Sequence, residues 1–265
     1  MKVSFDTIGS IAIIRHRPGE TLEQERKAAK AIMRNNRSIR GVFRRVGRTE
    51  GKERLSKFVF ICGDKNQKTV HKENGCVFYV DIKKVYFSPR LSTERARVAR
   101  SIKKSDNVLD MFCGVGPFTI QAAKKASYVA AIDINKDAIT LLQENIKANK
   151  VENVRFFLGD AKKILNGIKT RFDVIIMNNP TMSRNFLPNA VRAAKDRCTI
   201  FFYEFLKAEN GLSEAEKTDI SSIKRILSAY CDKVSIKPHV TGEAAPYLYR
   251  MCFDIKIKKS STRSS

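Results

Sequence analysis

Strand-like and helix-like segments alternate through the second part of the chain, and this alternation restricts the possible folds most strongly. From about residue 105, apolar runs such as NVLDMFC, YVAAIDI and FDVIIMNN are separated by stretches with helical periodicity. This order predicts a doubly wound, mostly parallel sheet, because each helix returns the chain to the same end of the sheet. The last two runs, KVSIKPHV and YLYRMCFDIKI, have no helix between them and predict an antiparallel hairpin. The predicted fold class is therefore α/β, with a Rossmann-like sheet that ends in a hairpin.

The first 85 residues predict a small, separate α+β domain. Gly9-Ser10 between two apolar runs indicates a hairpin, and Thr21 with Gln24 forms a capping box that begins a helix. The strand candidates GVFRRV, FVFICG and CVFYVDI follow between polar turns. The predicted division is 1–85 for this domain, 86–104 for a connecting helix, 105–259 for the sheet domain and 260–265 for a disordered tail.

The net charge is +24, which favours a polyanionic partner through release of condensed counterions. Residues 1–105 carry 26 of the 51 basic side chains but only 10 of the 27 acidic ones. A generally basic protein without such a partner is the alternative, and the uneven distribution of charge argues against it. We expect the arginines of the first domain to form a basic face, namely Arg34, Arg37, Arg40, Arg44, Arg45 and Arg48.

Metal-binding, secreted and membrane proteins are disfavoured by the sequence. The six cysteines form no CxxC pair and the three histidines are widely spaced, so we expect neither a metal site nor a disulfide framework. No apolar run approaches the ~20 residues that are needed to span a bilayer. Because the first residues lack the features of a signal peptide, we expect a cytoplasmic protein.

A glycine-containing turn follows the first predicted parallel strand. Gly114 and Gly116 let a ligand approach the backbone, although this pattern alone is weak evidence. Thr119 stands where a pyrophosphate-binding turn has glycine or alanine, and Asp110 before the turn would repel a pyrophosphate. A carboxylate here can face the cationic amino group of a methionine-derived cofactor. The turn therefore favours S-adenosylmethionine over a nicotinamide dinucleotide.

Two further strands also end in aspartate. Asp133, followed by Ile134, is placed to accept both ribose hydroxyls of a cofactor. Asp160, followed by the small Ala161, is placed to accept an adenine amino group. Because the carboxyl ends of parallel strands share one edge, we expect these side chains to line one cofactor site. Aspartate also commonly caps the helix after a strand, which is the alternative explanation for each position alone.

The fourth strand ends in Asn178-Asn179-Pro180, an Asn-x-Pro element. It is similar to the (N/D)PP(Y/F) sequence of methyltransferases that act on planar nitrogens, in which the amide orients the reacting nitrogen. On this interpretation Asn178 is catalytic and contacts the cofactor, while Pro180 contacts the substrate. A polar turn in which proline ends the strand is the alternative.

The run YFSPRLSTER at residues 86–95 resembles the archaeal and eukaryotic tRNA (guanine-37-N1)-methyltransferase family. SFDTIGSIAII, DMFCGVGPF, AIDIN, ENIKANKVENV and FFYEF fit the same family, so the resemblance extends from about residue 3 to 258. It implies a class I methyltransferase fold, S-adenosylmethionine as cofactor, and a small domain that contacts the anticodon stem-loop of tRNA. We expect the protein to be a monomer.

N1 of guanine is a poor nucleophile, so its methylation needs a base for the N1 proton and a donor for the charge that develops on O6. The resemblance implies Glu94 as the general base and Arg54 as the donor to O6. It also implies Arg90 as a positioning or phosphate-binding group, Tyr86 as support for the target base, and Arg95 as a contact to the cofactor carboxylate. Arg90 and Glu94 lie four apart on one predicted helical face, and an exposed ion pair worth under ~1 kcal/mol is the alternative.

Two features depart from the family pattern. Asn179 occupies the middle position of the usual Asn-Leu-Pro or Asn-Pro-Pro, while both outer positions are kept. Family members also carry an extra N-terminal domain that grips the tRNA elbow, and we expect this chain to lack it. The basic segment 26–104 would then have to hold the anticodon stem.

Other functions stay open at this stage. Some archaeal relatives also methylate a ring carbon of the wyosine precursor 4-demethylwyosine at position 37, so a bifunctional enzyme is one alternative. A related branch transfers the aminocarboxypropyl group of the same cofactor instead. A catalytically inactive RNA-binding protein is a further alternative, against which the intact set of strand-end aspartates argues.

Overall fold

A computed structural model describes residues 4–16, 19–51, 53 and 55–259, leaving out the side chains of residues 48–50. Two compact units are present. The first comprises Met1–Thr93, Gly114–Pro117 and Ile134–Lys150, and the second comprises Glu94–Cys113, Phe118–Asp133 and Val151–Ser265. The predicted domain boundaries at residues 85, 104 and 259 stay predictions.

The strands and helices of the described residues have the following bounds. The strands are β1 (Phe5–Ile8), β2 (Ile11–Arg15), β3 (Gly41–Glu50), β4 (Leu55–Gly63), β5 (Lys68–Glu73), β6 (Cys76–Asp81), β7 (Asn107–Asp110), β8 (Tyr128–Asp133), β9 (Val154–Leu158), β10 (Phe172–Met177), β11 (Ala194–Lys207), β12 (Cys231–Ala245) and β13 (Leu248–Lys259). The helices are α1 (Leu22–Asn35), α2 (Ser92–Ser101), α3 (Pro117–Ala123), α4 (Lys136–Ala148), α5 (Ala161–Gly167), α6 (Ser183–Ala193) and α7 (Leu212–Leu227). A short 3₁₀ turn, Pro89–Leu91, precedes α2.

The first unit contains a four-stranded sheet in the order β1-β2-β3-β4 and the hairpin β5–β6. Strands β2 and β3 are parallel, and the other neighbouring pairs are antiparallel. Helix α1 begins with the predicted capping box, because Thr21 Oγ1 accepts from the N–H of Gln24 at 3.2 Å and Gln24 Oε1 accepts from the N–H of Thr21 at 2.8 Å. The core of this unit includes Ala12, Ile14, Ala29, Ile32 and Val42.

The turn between β1 and β2 requires glycine. Gly9 has a φ of +55°, and a Cβ atom there would lie 2.4 Å from the carbonyl oxygen of Val70. The N–H of Gly9 donates to Nδ1 of His71 at 3.2 Å, and the N–H of Ser10 donates to Oγ1 of Thr69 at 2.8 Å. The predicted hairpin is confirmed, and it also anchors β5, a polar strand that the sequence patterns did not indicate.

The second unit is built on a seven-stranded sheet in the order β12-β13-β11-β10-β7-β8-β9. Neighbours from β11 to β9 are parallel, whereas β13 pairs antiparallel with β11 and β12. The predicted α/β fold with a terminal antiparallel hairpin is therefore confirmed. The inner strands are almost wholly apolar because both faces of the sheet are covered. One core cluster of this unit includes Leu109, Ile132, Ile175, Phe202 and Phe253.

No helix in the described part of the chain is long and apolar enough to cross a membrane. All six cysteines have free thiols. Within the described ranges, no group of three or more His, Cys, Asp or Glu side chains could hold a metal ion.

Candidate active site

Three aspartates of the second unit follow neighbouring parallel strands. Asp110 ends β7, Asp133 ends β8, and Asp160 comes two residues after β9. The strand register pairs Asp110 with Ala131 and Asp133 with Leu158, so the three carboxylates lie at the same edge of the sheet. Neighbouring strands are about 4.8 Å apart, so this edge presents a short row of negative groups to a ligand.

Asp110 is the most deeply buried of the three carboxylates, with only 1% of its surface exposed. Its Oδ2 accepts a hydrogen bond from Thr119 Oγ1 at 2.8 Å, whereas its buried Oδ1 has no hydrogen-bond partner among the described residues. Burial raises the pKa of Asp110 to about 7, and the nearby Asp133 carboxylate adds to this effect. An unsatisfied buried carboxylate oxygen is costly unless a donor meets it. A cationic amino group fits this position, and a pyrophosphate does not.

Asp133 and Asp160 are more accessible to solvent than Asp110. Asp160 is the N-cap of α5, and its Oδ1 accepts from the N–H of Lys162 at 2.8 Å. Its Oδ2 has no hydrogen-bond partner in the described part of the second unit. The capping role that was the alternative explanation is therefore present, and it leaves one carboxylate oxygen for a ligand.

The glycine-containing turn belongs to the first unit. Gly114 has a φ of +54° and Gly116 a φ of +87°, both in the left-handed region that favours glycine. A Cβ atom on Gly114 would approach only the carbonyl oxygen of Tyr86, at 3.8 Å. The glycine at 114 is therefore required by the backbone conformation and leaves open space above the turn.

Asn145 on α4 and Asn149, the C-cap residue of α4, hold this turn and the edge of β6 within the first unit. Asn145 exchanges two hydrogen bonds with the backbone of Tyr79, at 2.7 and 3.3 Å, and its Nδ2 also donates to the carbonyl of Val115 at 2.8 Å. Asn149, one helical turn later, exchanges two hydrogen bonds with the backbone of Val77, at 2.9 and 2.6 Å. The side-chain amides thus replace a neighbouring strand. Their i, i+4 spacing within ENIKANK is a signal that sequence reasoning did not use.

The Asn178-Asn179-Pro180 element forms a tight turn after β10. Ser183 Oγ donates to the carbonyl oxygens of Met177 and Asn179, at 2.6 and 2.9 Å. Asn179 Oδ1 accepts from Thr181 Oγ1 at 3.0 Å, so the unusual middle residue has a structural partner. The side-chain amide of Asn178 makes no hydrogen bond to the described residues and is partly exposed. Its amide is therefore available to a ligand.

Glu94 lies in the first turn of α2 and is 8% exposed. Its Oε1 accepts from the hydroxyl of Tyr203 at 2.7 Å and from Arg97 Nη2 at 2.8 Å, and its Oε2 accepts from Arg97 Nε at 2.7 Å. Arg97 is held in turn by Asp254, at 2.6 and 2.9 Å. Burial raises the pKa of Tyr203 far above its ordinary value, so its hydroxyl stays a hydrogen-bond donor. Sequence reasoning did not single out Tyr203 or Arg97, although Tyr203 lies in the quoted run FFYEF.

Arg90 and Glu94 do not share a helix. Arg90 lies in the 3₁₀ turn, because α2 begins only at Ser92, and its Nε pairs with Oδ1 of Asp6 at 2.6 Å within the first unit. The expectation of one common helical face was therefore wrong. Tyr86 of the first unit is half-buried, Arg95 is 1% exposed, and Arg54 lies outside the described residues.

The TRM5/TYW2 methyltransferase domain matches residues 69–236. The chain belongs to the TRM5/TYW2 methyltransferase family. It is 36% identical over 258 residues to tRNA (guanine(37)-N(1))-methyltransferase Trm5b of Pyrococcus abyssi, covering 97% of this chain and 76% of that protein. The solved complex of aTrm5 and tRNALeu is similar with a TM-score of 0.84 at 31% identity, covering 97% of this chain and 72% of that one. M. jannaschii TYW2 in complex with AdoMet has a TM-score of 0.70 at 25% identity, covering 97% and 100% of the two chains.

Membership of the TRM5/TYW2 family confirms the resemblance that the run at residues 86–95 indicated. Identity is higher with Trm5b, at 36%, than with TYW2, at 25%. The similarity to solved family structures also confirms the class I methyltransferase fold.

Proposed function

We propose that this member of the TRM5/TYW2 family transfers the methyl group of S-adenosylmethionine to N1 of guanosine 37 in tRNA. The observation that carries the proposal is the 36% identity, over 97% of the chain, with an enzyme of that name. The solved complexes with tRNALeu and with AdoMet support the RNA substrate and the cofactor. The basic composition of the first 105 residues supports contact with the anticodon stem-loop.

S-Adenosylmethionine supplies an electrophilic methyl group on a sulfonium when it is bound. Asp110, with its unsatisfied buried oxygen, is the proposed acceptor for the ammonium group of the cofactor. Asp133 is the proposed acceptor for the ribose hydroxyls, and Asp160 beside Ala161 accepts the adenine amino group. The other proposed cofactor contacts are Arg95, Gly114, Gly116, Ile134 and Asn178.

Glu94 is the proposed general base for the N1 proton. Its carboxylate accepts three hydrogen bonds, which occupy three of about four acceptor positions and leave one for N1–H. Tyr203 and Arg97 hold both oxygens in one orientation, so the free position points in a fixed direction. Such positioning reduces the reorganisation that proton transfer needs.

The remaining proposed roles concern the guanine base and its phosphate. Arg54 would donate to O6 as charge develops there. Asn178 and Pro180 would orient N1, and Tyr86 would support the target base. Arg90 would position the substrate or bind a phosphate, for which its pairing with Asp6 would have to open.

Transfer of tritium from labelled S-adenosylmethionine to unmodified tRNA tests the proposal. Transcripts with guanosine and with adenosine at position 37 are compared, using the wild type and Glu94→Gln. We expect label only with guanosine, and a fall in kcat of at least 100-fold for Glu94→Gln, because amide nitrogen and oxygen cannot take up the proton.

Glu152→Gln is the matched control, because Glu152 is an exposed glutamate in a loop. It should retain wild-type activity. Label that persists on the adenosine transcript would contradict the assignment of the target. Equal activity of Glu94→Gln and the wild type would contradict the role of Glu94 while leaving the target intact.

The product also distinguishes the alternatives that the sequence leaves open. Digestion of the labelled tRNA to nucleosides separates N1-methylguanosine from a carbon-methylated wyosine precursor. Transfer of the aminocarboxypropyl group would label the RNA from carboxyl-labelled but not from methyl-labelled cofactor. The predicted monomer stays a prediction, which light scattering of the protein in solution would test.

A further inference from the structure

Arg45, on β3 of the first unit, is a partly buried arginine that forms no ion pair with the described residues. Its guanidinium makes no hydrogen bond or ion pair to them, and its Nε is fully buried. The neighbouring Arg44 differs, because its Nη1 lies 2.9 Å from each carboxylate oxygen of Glu25. A desolvated, unpaired charge is unfavourable, so the position of Arg45 costs stability unless an anion meets it.

Two further arginines and one carboxylate lie near Arg45. Burial lowers the pKa of Arg45 from its ordinary value. Tyr86 and Asp6 oppose this effect, whereas Arg15 and Arg90 add to it. The nearby carboxylate of Asp6 is already paired with Arg90. The site therefore has three arginines for one carboxylate, and this excess of positive charge favours an anion.

A shallow concave pocket lies beside the guanidinium. The Arg45 guanidinium carbon lies 5.8 Å from the centre of the Phe58 ring. The hydroxyl of Ser56, also in the lining, makes no hydrogen bond to the described residues. The pocket thus combines two unused donors with aromatic and aliphatic surface, contributed by Ile8, Phe58, Ile82, Val85, Tyr86 and Phe87.

We propose that this pocket binds a backbone phosphate of the single-stranded anticodon loop of tRNA. Arg45 and Ser56 donate to the phosphate oxygens, while Phe58 and Tyr86 contact the attached nucleoside. A planar guanidinium matches a phosphate with two parallel hydrogen bonds, and aromatic rings bind nucleosides of any sequence. A free inorganic anion would leave the apolar wall uncovered, which favours a nucleotide. The proposal rests on the proposed tRNA substrate.

Binding of tRNA and of S-adenosylmethionine to Arg45→Gln tests this site without relying on catalysis. We expect the Kd for an unmodified tRNA transcript to rise roughly tenfold, because a hydrogen-bonded phosphate contact is lost. The slope of log Kd against log salt should fall by about 0.7, the value for one phosphate contact on single-stranded RNA. The Kd for S-adenosylmethionine should not change, and the melting temperature of the free protein should be unchanged or higher.

Arg225→Gln is the matched control, because Arg225 is an exposed arginine on α7 and the substitution removes the same charge. Arg225→Gln should change the Kd for tRNA by less than about twofold, and it should leave the slope of log Kd against log salt unchanged. Methylphosphonate groups placed in turn around guanosine 37 of an anticodon stem-loop identify the phosphate. One of them should weaken binding to the wild type but not to Arg45→Gln.

Two outcomes would overturn the proposal. A change in the cofactor Kd instead of the tRNA Kd would assign the pocket to the cofactor carboxylate. Equal effects of Arg45→Gln and Arg225→Gln would reduce the result to net charge. If Arg45→Gln does not fold, Arg45→Lys keeps the charge and should bind tRNA with intermediate affinity. A wild type that binds tRNA without methylating guanosine 37 would contradict the proposed function but not this site.

Discussion

Replacing Asp110 by asparagine should stabilise the cofactor-free protein at pH 8 and weaken cofactor binding. The pKa of Asp110 is raised from 3.8 to about 7, chiefly by burial. A difference of about 3 pKa units corresponds to about 4 kcal/mol between the protonated and ionised carboxyl group. Asparagine has the shape of the protonated form, and its amide oxygen, placed where Oδ2 of Asp110 lies, can still accept from Thr119 Oγ1. The substitution therefore removes a cost of up to about 4 kcal/mol.

The expected gain depends on pH in a defined direction. Because the folded pKa lies above the unfolded value, the folded protein binds more protons between pH 4 and 7. The contribution of Asp110 to stability is therefore fully present below about pH 4 and is lost as the pH rises to 7. The wild type and Asp110→Asn should differ little at pH 4 and most at pH 8. For a chain of this size, 1 kcal/mol shifts the melting temperature by roughly 2–4 °C.

Cofactor binding should change in the opposite direction. The ammonium group of S-adenosylmethionine gains a charge-assisted hydrogen bond only from the ionised carboxylate, so its affinity for the wild type should rise from pH 6 to 8. Loss of a hydrogen bond to a charged group costs about 1.5–3 kcal/mol, or roughly 10- to 150-fold in Kd. Asp110→Asn should lose this affinity and its pH dependence.

Thermal unfolding of the cofactor-free protein from pH 4 to 8, with calorimetry of cofactor binding, measures both effects. Asp196→Asn is the matched control, since Asp196 is exposed and should change neither quantity. A lower melting temperature of Asp110→Asn at pH 8 would show that the ionised carboxylate stabilises the fold. An unchanged cofactor Kd would refute the assignment of Asp110 to the ammonium group.

Two further substitutions probe the hydrogen bonds around the site. Tyr203→Phe removes one hydrogen bond to Glu94 and should lower kcat roughly tenfold. The pH–rate profile should shift, while the Kd for the cofactor should not change. A change in KM alone would contradict a positioning role for Tyr203. Asn145→Ala leaves the backbone groups of Tyr79 and Val115 without their side-chain partner. It should lower the free energy of unfolding, measured in urea, by about 2–4 kcal/mol. A decrease smaller than about 0.5 kcal/mol would contradict this role of Asn145.

The fold of the second unit could be predicted because its pattern is carried by local signals. Apolar runs with no polar interruption, such as YVAAIDI, form strands buried on both faces, and the missing helix before YLYRMCFDIKI marks the antiparallel hairpin. The polar strand β5 could not be found in this way, because KTVHKE has few apolar residues. Its anchor is the turn at Gly9 and Ser10, some sixty positions away, and such pairings are not encoded in the local pattern.

The positions of the strand-end aspartates followed from topology, but their chemical environments did not. Asp110 and Asp160 look alike in the sequence, each closing a strand before a helix. In the structure one is buried with an unsatisfied oxygen and the other caps a helix at the surface. Likewise, the spacing of Arg90 and Glu94 suggested a pair, yet their partners are Asp6 and Arg97. The 3₁₀ turn before α2 removes Arg90 from the helical face that carries Glu94. Sequence patterns therefore identify which residues carry the chemistry, and only the packing around them determines which proton or charge each can hold.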